Sequence, residues 1–147
     1  MADSRNDCLF CRLAAREGEA SVVHQDTRTI TIMDIQPIQP GHMLIVPKAH
    51  ATQLSDLDPD DGAQMFRVAQ AAAQSLRVSG LKCEGVNFFL ADGEAAGQDV
   101  WHVHLHVFPR SEGDGFGIHF PPDYAVRPRS ELDEAAAALR QSWPASE

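Results

Sequence analysis

His102-Val103-His104-Leu105-His106-Val107-Phe108 is the stretch that most strongly constrains the fold and the chemistry of this chain. Side chains of an extended segment alternate between two faces, so the apolar residues can be buried on one face while the three imidazoles line the other. The pattern predicts a strand over residues 100–108. Three polar rings in a row suit neither a hydrophobic core nor a plain surface, and a chemical role explains them better.

The histidines suggest attack on phosphorus. Neutral imidazole is a competent nucleophile near pH 7 because its ordinary pKa is about 6.5. Attack requires one ring nitrogen to be free while the other keeps its proton, held by an acceptor that sets the tautomer. Two simpler interpretations are a solvated edge strand and an adventitious metal patch. A further alternative is a catalytic zinc ion held by His102, His104 and His106, although alternate strand positions converge on one ion only with difficulty.

Length and charge limit the possible partners. At 147 residues the chain fits one domain. A net charge of −9 without a Lys/Arg cluster argues against nucleic acid or an anionic membrane as partner, but it allows a small phosphate-bearing ligand. The polar first residues do not read as a signal peptide, and no apolar run approaches bilayer-spanning length, so we expect a cytoplasmic protein.

The remaining pattern predicts an α+β domain without internal repeats. Asp58, Pro59 and the acids after them form a helix start, and Phe66, Ala69, Ala73 and Leu76 follow helical spacing towards Ser79 and Gly80. A C-terminal helix is expected to be capped by Ser130, with Asp133 three residues on. Further strands are predicted at residues 21–24, 29–34, 43–46 and 86–90.

Cys8 and Cys11 have the spacing of two ligands to one tetrahedral zinc ion, whereas Cys83 stands alone. In a cytosolic chain this spacing indicates a metal site or free thiols rather than a disulfide. Two more ligands would be needed, and seven histidines are candidates.

Several blocks of the sequence resemble the histidine-triad (HIT) family when they are taken in order. The triad strand ends in Pro109-Arg110 and follows an Ala96-Gly97-Gln98 loop, and the upstream blocks are Cys8-Leu9-Phe10-Cys11, Met33-Asp34-Ile35, Pro40-Gly41-His42 and Val46-Pro47-Lys48-Ala49-His50. The likeness covers residues 8–110. It therefore implies a single HIT domain over residues 1–147, with a core at 8–110 and a C-terminal extension at 111–147.

The resemblance implies a HIT-like fold, in which an antiparallel sheet of about five strands packs with one long and one C-terminal helix. It also implies a homodimer that continues the sheet across its subunits, with the Ala-rich helix 59–79 in the contact. The implied activity is that of a nucleotidyl hydrolase or transferase. Such an enzyme cleaves the bond between a nucleoside α-phosphate and its leaving group through a covalent nucleotidyl-histidine.

Site residues follow from the same resemblance. His104 would be the nucleophile, His106 would contact the phosphate, and Gln98 would bond the phosphate and leaving group. Asp34 would hold the ribose hydroxyls, and the N–H groups of the loop ending at Gly97 could approach phosphate oxygens. Arg110, which follows the triad, could supply a cation for a terminal phosphate.

In zinc-bearing bacterial members of the family, the equivalents of His50 and His102 join those of Cys8 and Cys11 as zinc ligands. The resemblance therefore implies a closed, structural zinc site that fixes the N-terminal segment to the triad segment. The other candidate histidines are expected to be ordinary surface residues: His24, His42 and His119.

Two positions depart from the family pattern. Ala91 replaces an Asn or Gln of many relatives, and Asp99 replaces the usual Ser or Thr near the leaving group. A carboxylate at Asp99 would repel phosphate unless it is protonated or turned away. The loop at residues 94–98 and Pro109-Arg110 resemble the dinucleoside-polyphosphate branch, and nucleoside phosphoramidates are the other candidate substrates. The non-enzymatic alternative is a nucleotide-binding or zinc-stapled interaction domain without turnover.

Overall fold

Five antiparallel strands form the sheet on which the site is built, in the spatial order β1-β2-β3-β5-β4. The computed structural model describes residues 7–145; those up to Phe116 form one compact unit, and those from Gly117 form another. The strands are β1 Val22–Gln25, β2 Thr29–Met33, β3 Met43–Pro47, β4 Gly85–Phe89 and β5 Leu105–Arg110. The helices are α1 Leu9–Ala14, α2 Pro59–Val78 and α3 Arg129–Ser142, with short 3-10 turns at Leu54–Asp56 and Glu94–Ala96. This architecture confirms the predicted α+β fold.

The two faces of the sheet carry different packing. On one face Ile32 and Leu44 are buried with Phe10 of α1, and Leu44 is directly opposite His106 in the β3–β5 ladder. On the other face Ile45 and Val107 pack among the buried residues of α2. The histidine face of the sheet is therefore the α1 face, and α2 supports the sheet from behind.

Helix α2 begins as the sequence predicts. Asp58 accepts a hydrogen bond from the backbone N–H of Asp60 at 2.8 Å, and Pro59 occupies the first helical position. The predicted apolar face is partly wrong, because Phe66 is 66% exposed. Ala69 and Leu76 are buried as predicted, and Met65, Val68 and Ala72 complete the apolar face against the sheet.

The strand predicted over residues 100–108 is shorter at its beginning, since β5 covers Leu105–Arg110 only. The ladder pairs Ile45 with Leu105, so its continuation would set Pro47, which has no N–H group, opposite Val103. The N–H of Val103 instead donates to Ala51 O at 2.8 Å. His102 and His104 thus lie in a bent segment that precedes the strand.

The second unit, described to residue 145, contains α3 and an aromatic pair in which Phe120 stacks on Tyr124 with ring centroids 4.3 Å apart. Helix α3 begins at Arg129, with Pro128 at the cap position. The predicted Ser130 cap is therefore wrong, because Ser130 lies inside the first turn. No helix within residues 7–145 combines the length and hydropathy needed to cross a membrane.

The turn between β1 and β2 is held by one carboxylate. Asp26 accepts hydrogen bonds from the backbone N–H groups of Arg28 and Thr29, the Thr29 hydroxyl and the Gln64 side chain. Burial by itself would raise the pKa of Asp26, but these hydrogen bonds outweigh it and lower the pKa to about 2. The ionised carboxylate therefore joins the turn to α2.

We expect Asp26→Asn to lower the free energy of unfolding at pH 7 by about 1–2 kcal/mol, because an amide group would face the Thr29 and Gln64 donors. A folded-state pKa below the ordinary 3.8 means that the stabilisation is complete above about pH 4 and is lost as the pH falls towards about 2. Urea unfolding between pH 6 and pH 2.5 should show the two proteins converging. The exposed Asp56→Asn is the control, and a difference that does not change with pH would contradict the assignment.

Candidate active site and metal centre

His104 is held in one tautomer by its own backbone. Its Nδ1 lies 2.8 Å from the carbonyl oxygen of His102, and because a carbonyl can only accept, Nδ1 carries the proton. The lone pair is therefore on Nε2. Phe10 of α1 packs against the ring with centroids 5.0 Å apart, and the side chain is only 3% exposed. This is the arrangement that a nucleophilic imidazole needs.

His106 receives its orientation from His42. Nδ1 of His42 accepts a hydrogen bond from the backbone N–H of Ile38 at 3.0 Å, so the proton of the neutral ring is on Nε2. That Nε2 lies 2.9 Å from Nδ1 of His106, which must accept. Burial, with His104 and His42 nearby, lowers the pKa of His106 to about 4. A neutral His106 consequently carries its own proton on Nε2 and can donate it to a ligand.

The expectation that His42 is an ordinary surface residue is wrong, since its side chain is 2% exposed. Burial lowers the pKa of His42, although the nearby Asp34 carboxylate opposes the shift. Gly41 explains how the ring enters the interior: its φ is +103°, and a Cβ there would lie 3.0 Å from Leu81 and 3.1 Å from Leu76. The Pro40-Gly41-His42 block signalled this position, but it does not by itself distinguish a buried ring from a surface one.

Asp34 lies beside the two paired rings. One carboxylate oxygen accepts the backbone N–H of Gln36 at 2.8 Å, and the other lies 3.4 Å from Nε2 of His42 and 3.8 Å from Nδ1 of His106. These three side chains are close enough to hold a metal ion. The Ile38 hydrogen bond makes Nε2 of His42 a donor, however, and the 2.9 Å contact fits a proton between the rings better than an ion.

A second cluster joins α1 to the triad segment. Ligand atoms of Cys8, Cys11, His50 and His102 all lie within 4.8 Å of one another. Cys8 and Cys11 are one helical turn apart, and the Val103–Ala51 backbone bond places His50 beside His102. Within residues 7–145 the sequence-predicted metal ligands are therefore brought together, and His24 is not part of the group.

The distances in this cluster fit a tetrahedral zinc ion. With Zn–N near 2.0–2.1 Å and Zn–S near 2.3 Å, the edges of a tetrahedron are about 3.3 Å for N–N and about 3.6 Å for S–N. The Nδ1 atoms of His50 and His102 are 3.3 Å apart, Cys11 Sγ is 3.3 and 3.5 Å from them, and Cys8 Sγ is 3.4 Å from His102 Nδ1. These four side chains can hold one metal ion.

The other nitrogen of His102 supports the same interpretation. Nε2 donates to the carbonyl oxygen of Pro47 at 2.8 Å, which leaves a lone pair on Nδ1, facing the thiols. Burial lowers the pKa of His102 to about 4, and the neighbouring His50 and His104 act in the same direction, while the Pro47 bond opposes it. Since His102 and His106 belong to different clusters, the three triad rings do not share one metal position.

The loop before the triad is braced by Gln98. Its amide nitrogen donates to Thr52 O at 2.7 Å and Val100 O at 3.1 Å, while its oxygen accepts from the N–H of Gly93. Gly97 closes the same turn with a φ of +88°, and its N–H donates to Glu94 O. The polar groups through which Gln98 and Gly97 were predicted to meet substrate are thus hydrogen-bonded within the protein, and their contact with substrate stays a prediction.

Arg110 and Asp99 differ in how far their side chains are bonded within the protein. The Arg110 guanidinium bonds both carboxylate oxygens of Asp114, Asn87 Oδ1 and the carbonyl oxygen of Phe116. It therefore organises the turn after β5, and its predicted phosphate contact stays a prediction. Asp99 is 84% exposed, with Oδ1 4.0 Å from Nε2 of His104, so it is close to the ring nitrogen that carries the lone pair.

Comparison with known proteins agrees with this geometry. An uncharacterized HIT-like protein of Borreliella burgdorferi is 35% identical over 113 residues, which cover 76% of this chain and 81% of that protein. The adenylylsulfatase HINT3 of Arabidopsis thaliana is 32% identical over 110 residues, 75% of this chain and 55% of that protein. A crystal structure of a Zn-bound histidine triad family protein from Mycobacterium smegmatis superposes with a TM-score of 0.74 at 36% identity, covering 95% of this chain and 99% of that one.

The family profile described as the HIT domain matches residues 15–113, which include α2, all five strands and the three triad histidines. The profile match and the relatives together show the family. This chain is a member of the HIT family.

Proposed function

We propose that the chain is a nucleotidyl hydrolase or transferase that cleaves the bond between a nucleoside α-phosphate and its leaving group. The observation that carries the proposal is the hydrogen bond from Nδ1 of His104 to His102 O, since it leaves Nε2 with a lone pair beside the donor His106. The Arabidopsis relative, named an adenylylsulfatase, supports an adenylyl substrate.

The reaction has two displacements at phosphorus. In the first, Nε2 of His104 forms a bond to the α-phosphorus while the bond to the leaving group breaks. The electron pair goes to the leaving atom, which takes a proton from solvent. Nδ1 keeps its proton, so the adduct is a cationic nucleotidyl-imidazolium stabilised by the His102 carbonyl. In the second, water attacks phosphorus, the P–N bond breaks, its electron pair returns to Nε2, and the water proton goes to solvent.

His106 and Asp34 would act on the bound nucleotide. Nε2–H of His106 is the natural donor to a non-bridging oxygen of the α-phosphate, whose charge rises in the transition state. His42 is a positioning residue, because it orients His106 without touching substrate. Asp34 is proposed to hold the ribose hydroxyls, while Gln98 and Gly97 give the loop before the triad its shape.

We further propose that Cys8, Cys11, His50 and His102 hold a zinc ion. The tetrahedral edge distances support it, as does the Zn-bound relative from Mycobacterium smegmatis. Bound zinc would fill a closed four-ligand site with no open position, and it would therefore contribute to folding rather than to catalysis. His102 would connect that site to the nucleophile through its carbonyl oxygen.

A second copy of the chain is the proposed partner. Strand β4 is an edge of the sheet, and its Phe88 and Phe89 are about half exposed. An exposed apolar edge strand is a liability that pairing with another copy removes. The exposed Phe66 on α2 adds apolar area to the surface of the same unit.

Mutation of the nucleophile tests the mechanism. We expect His104→Ala to reduce turnover of adenylyl substrates by roughly 10³-fold or more, because no other group can form the covalent adduct. Wild-type protein quenched within milliseconds at alkaline pH should carry one nucleoside monophosphate on His104 by mass spectrometry. His119→Ala, an exposed histidine of the second unit, is the control. An adduct elsewhere, or ligand binding without any product, would overturn the proposal.

Loss of the His42 contact should act mainly on the chemical step. We expect His42→Phe to lower kcat by about 10–100-fold, because His106 then loses the donor that fixes its tautomer, while KM changes little. His42→Gln, which retains an N–H donor, should recover part of the rate. Steady-state kinetics separates kcat from KM, and circular dichroism confirms folding. If both variants instead raised KM equally and left kcat unchanged, the positioning role would be refuted.

Metal content tests the proposed zinc site. Protein grown with supplementary zinc should contain about one zinc per chain by inductively coupled plasma mass spectrometry, and Cys8→Ser/Cys11→Ser should contain little. The double variant should also unfold at a temperature several degrees lower, since α1 would no longer be fixed to the triad segment. Cys83→Ser is the matched control. Full zinc content in the double variant would rule out this ligand set.

A further inference from the structure

Asp99 places an exposed negative charge beside His104. Its carboxylate is 84% exposed and lies 4.0 Å from Nε2 of His104, a ring that is itself only 3% exposed. The Asp99 charge also acts on His106, where it favours the protonated ring. The carboxylate therefore lies on the solvent side of the ring, and a leaving group that departs towards solvent from a phosphate bound at Nε2 would pass it.

The neighbouring charges reinforce Asp99 rather than neutralise it. Asp92 and Glu94 are exposed on the same loop. Among residues 7–145, the salt bridges of arginine go to Asp60, Asp61, Asp114 and Asp123, and none reaches this loop. Lys48 is directed to the backbone oxygen of Asp26 instead. A leaving group on this side of His104 would therefore meet exposed acids of the loop with which no arginine of residues 7–145 forms a salt bridge.

The effect depends on which part of the substrate is charged. Every nucleoside monophosphate derivative brings the same α-phosphate charge to His104, so repulsion of that charge is common to all substrates. In-line displacement places the leaving group opposite the attacking nitrogen, on the outer side of phosphorus. The electrostatic effect of Asp99 therefore differs between substrates through the charge of the leaving group.

We propose that Asp99 selects the leaving group by its charge, favouring cationic and neutral amines over polyphosphates. This inference rests on the proposed function and narrows its substrate class to nucleoside phosphoramidates. It also departs from the sequence-based likeness to the dinucleoside-polyphosphate branch. In the favoured reaction the His104–phosphorus bond forms as the P–N bond breaks. The electron pair goes to the amine nitrogen, which takes a proton from solvent and leaves.

A set of three substrates sharing one adenosine 5′-phosphate tests the selection. The leaving groups are propylamine, which is neutral, 1,3-diaminopropane, which carries a second and cationic nitrogen, and adenosine triphosphate in diadenosine tetraphosphate. Two unit charges about 4 Å apart in water interact strongly enough to change a rate about fivefold. Asp99→Asn should therefore reduce the cationic-to-neutral ratio of kcat/KM by about fivefold, and raise the polyphosphate-to-neutral ratio by at least as much.

Matched variants and salt make the result specific. Asp99→Ser removes the same charge with a smaller side chain and should shift both ratios in the same way. Glu94→Gln removes a loop charge that is not paired with His104 and should shift them less than about twofold. Raising the salt from about 0.02 M to about 0.5 M should compress the wild-type ratios towards those of Asp99→Asn, because an exposed charge is screened.

The possible failures are distinguishable. If the wild-type protein turns over the three substrates but both Asp99 variants leave the ratios unchanged, Asp99 does not select the leaving group and the proposed function stands. If the wild-type protein forms no His104 adduct and no product from any of them, the proposed function is removed and the selection with it. If Glu94→Gln shifted the kcat/KM ratios as much as the Asp99 variants do, the effect would belong to the charge of the whole loop and not to Asp99.

Discussion

The hydrogen bond from Nδ1 of His104 to the carbonyl oxygen of His102 sets the chemistry of the site, and His102 is fixed at both ends. Its Nε2 donates to Pro47 O, and its Nδ1 lies among the thiols and His50. A shift of the His102 backbone would break the hydrogen bond that keeps the proton of His104 on Nδ1 and its lone pair on Nε2. The packing of α1, the cluster of two thiols and two imidazoles, and the tautomer of His104 are therefore coupled through His102.

The two histidine clusters show how distance and backbone contacts separate a group of side chains that can hold a metal ion from a pair of hydrogen-bonded rings. His50 and His102 have their Nδ1 atoms 3.3 Å apart, the edge of a zinc tetrahedron, with two thiols completing the set. His42 and His106 are 2.9 Å apart, and the Ile38 N–H already occupies the remaining nitrogen of His42. A soft donor set thus lies on one side of His104 and an ordered pair of neutral rings on the other.

Local patterns predicted the parts of this structure that depend on local physics. The apolar run before Pro47 forms β3, the Asp58-Pro59 start begins α2, and the cysteine spacing brings two thiols to one turn of α1. Properties that depend on the partners across the fold could not be predicted in this way. The start of β5 is decided by Pro47 on the neighbouring strand, and the burial of His42 is decided by Gly41 and the residues packed around it. Sequence spacing contains neither fact.

The buried histidines and the exposed acids contribute differently to the electrostatics of the site. Burial lowers the pKa values of His102 and His106 to about 4, so both rings are neutral at pH 7. The two rings therefore offer lone pairs and N–H donors without a positive charge. Within residues 7–145 no arginine forms a salt bridge with the loop that carries Asp99, and the exposed acids of that loop would oppose a highly charged polyphosphate. Arg110, the cation nearest in sequence to the triad, is occupied by Asp114 and Asn87. Under the two proposals, selection would come from repulsion by the exposed acids of the loop, and catalysis would come from the ordered hydrogen bonds of His104 and His106.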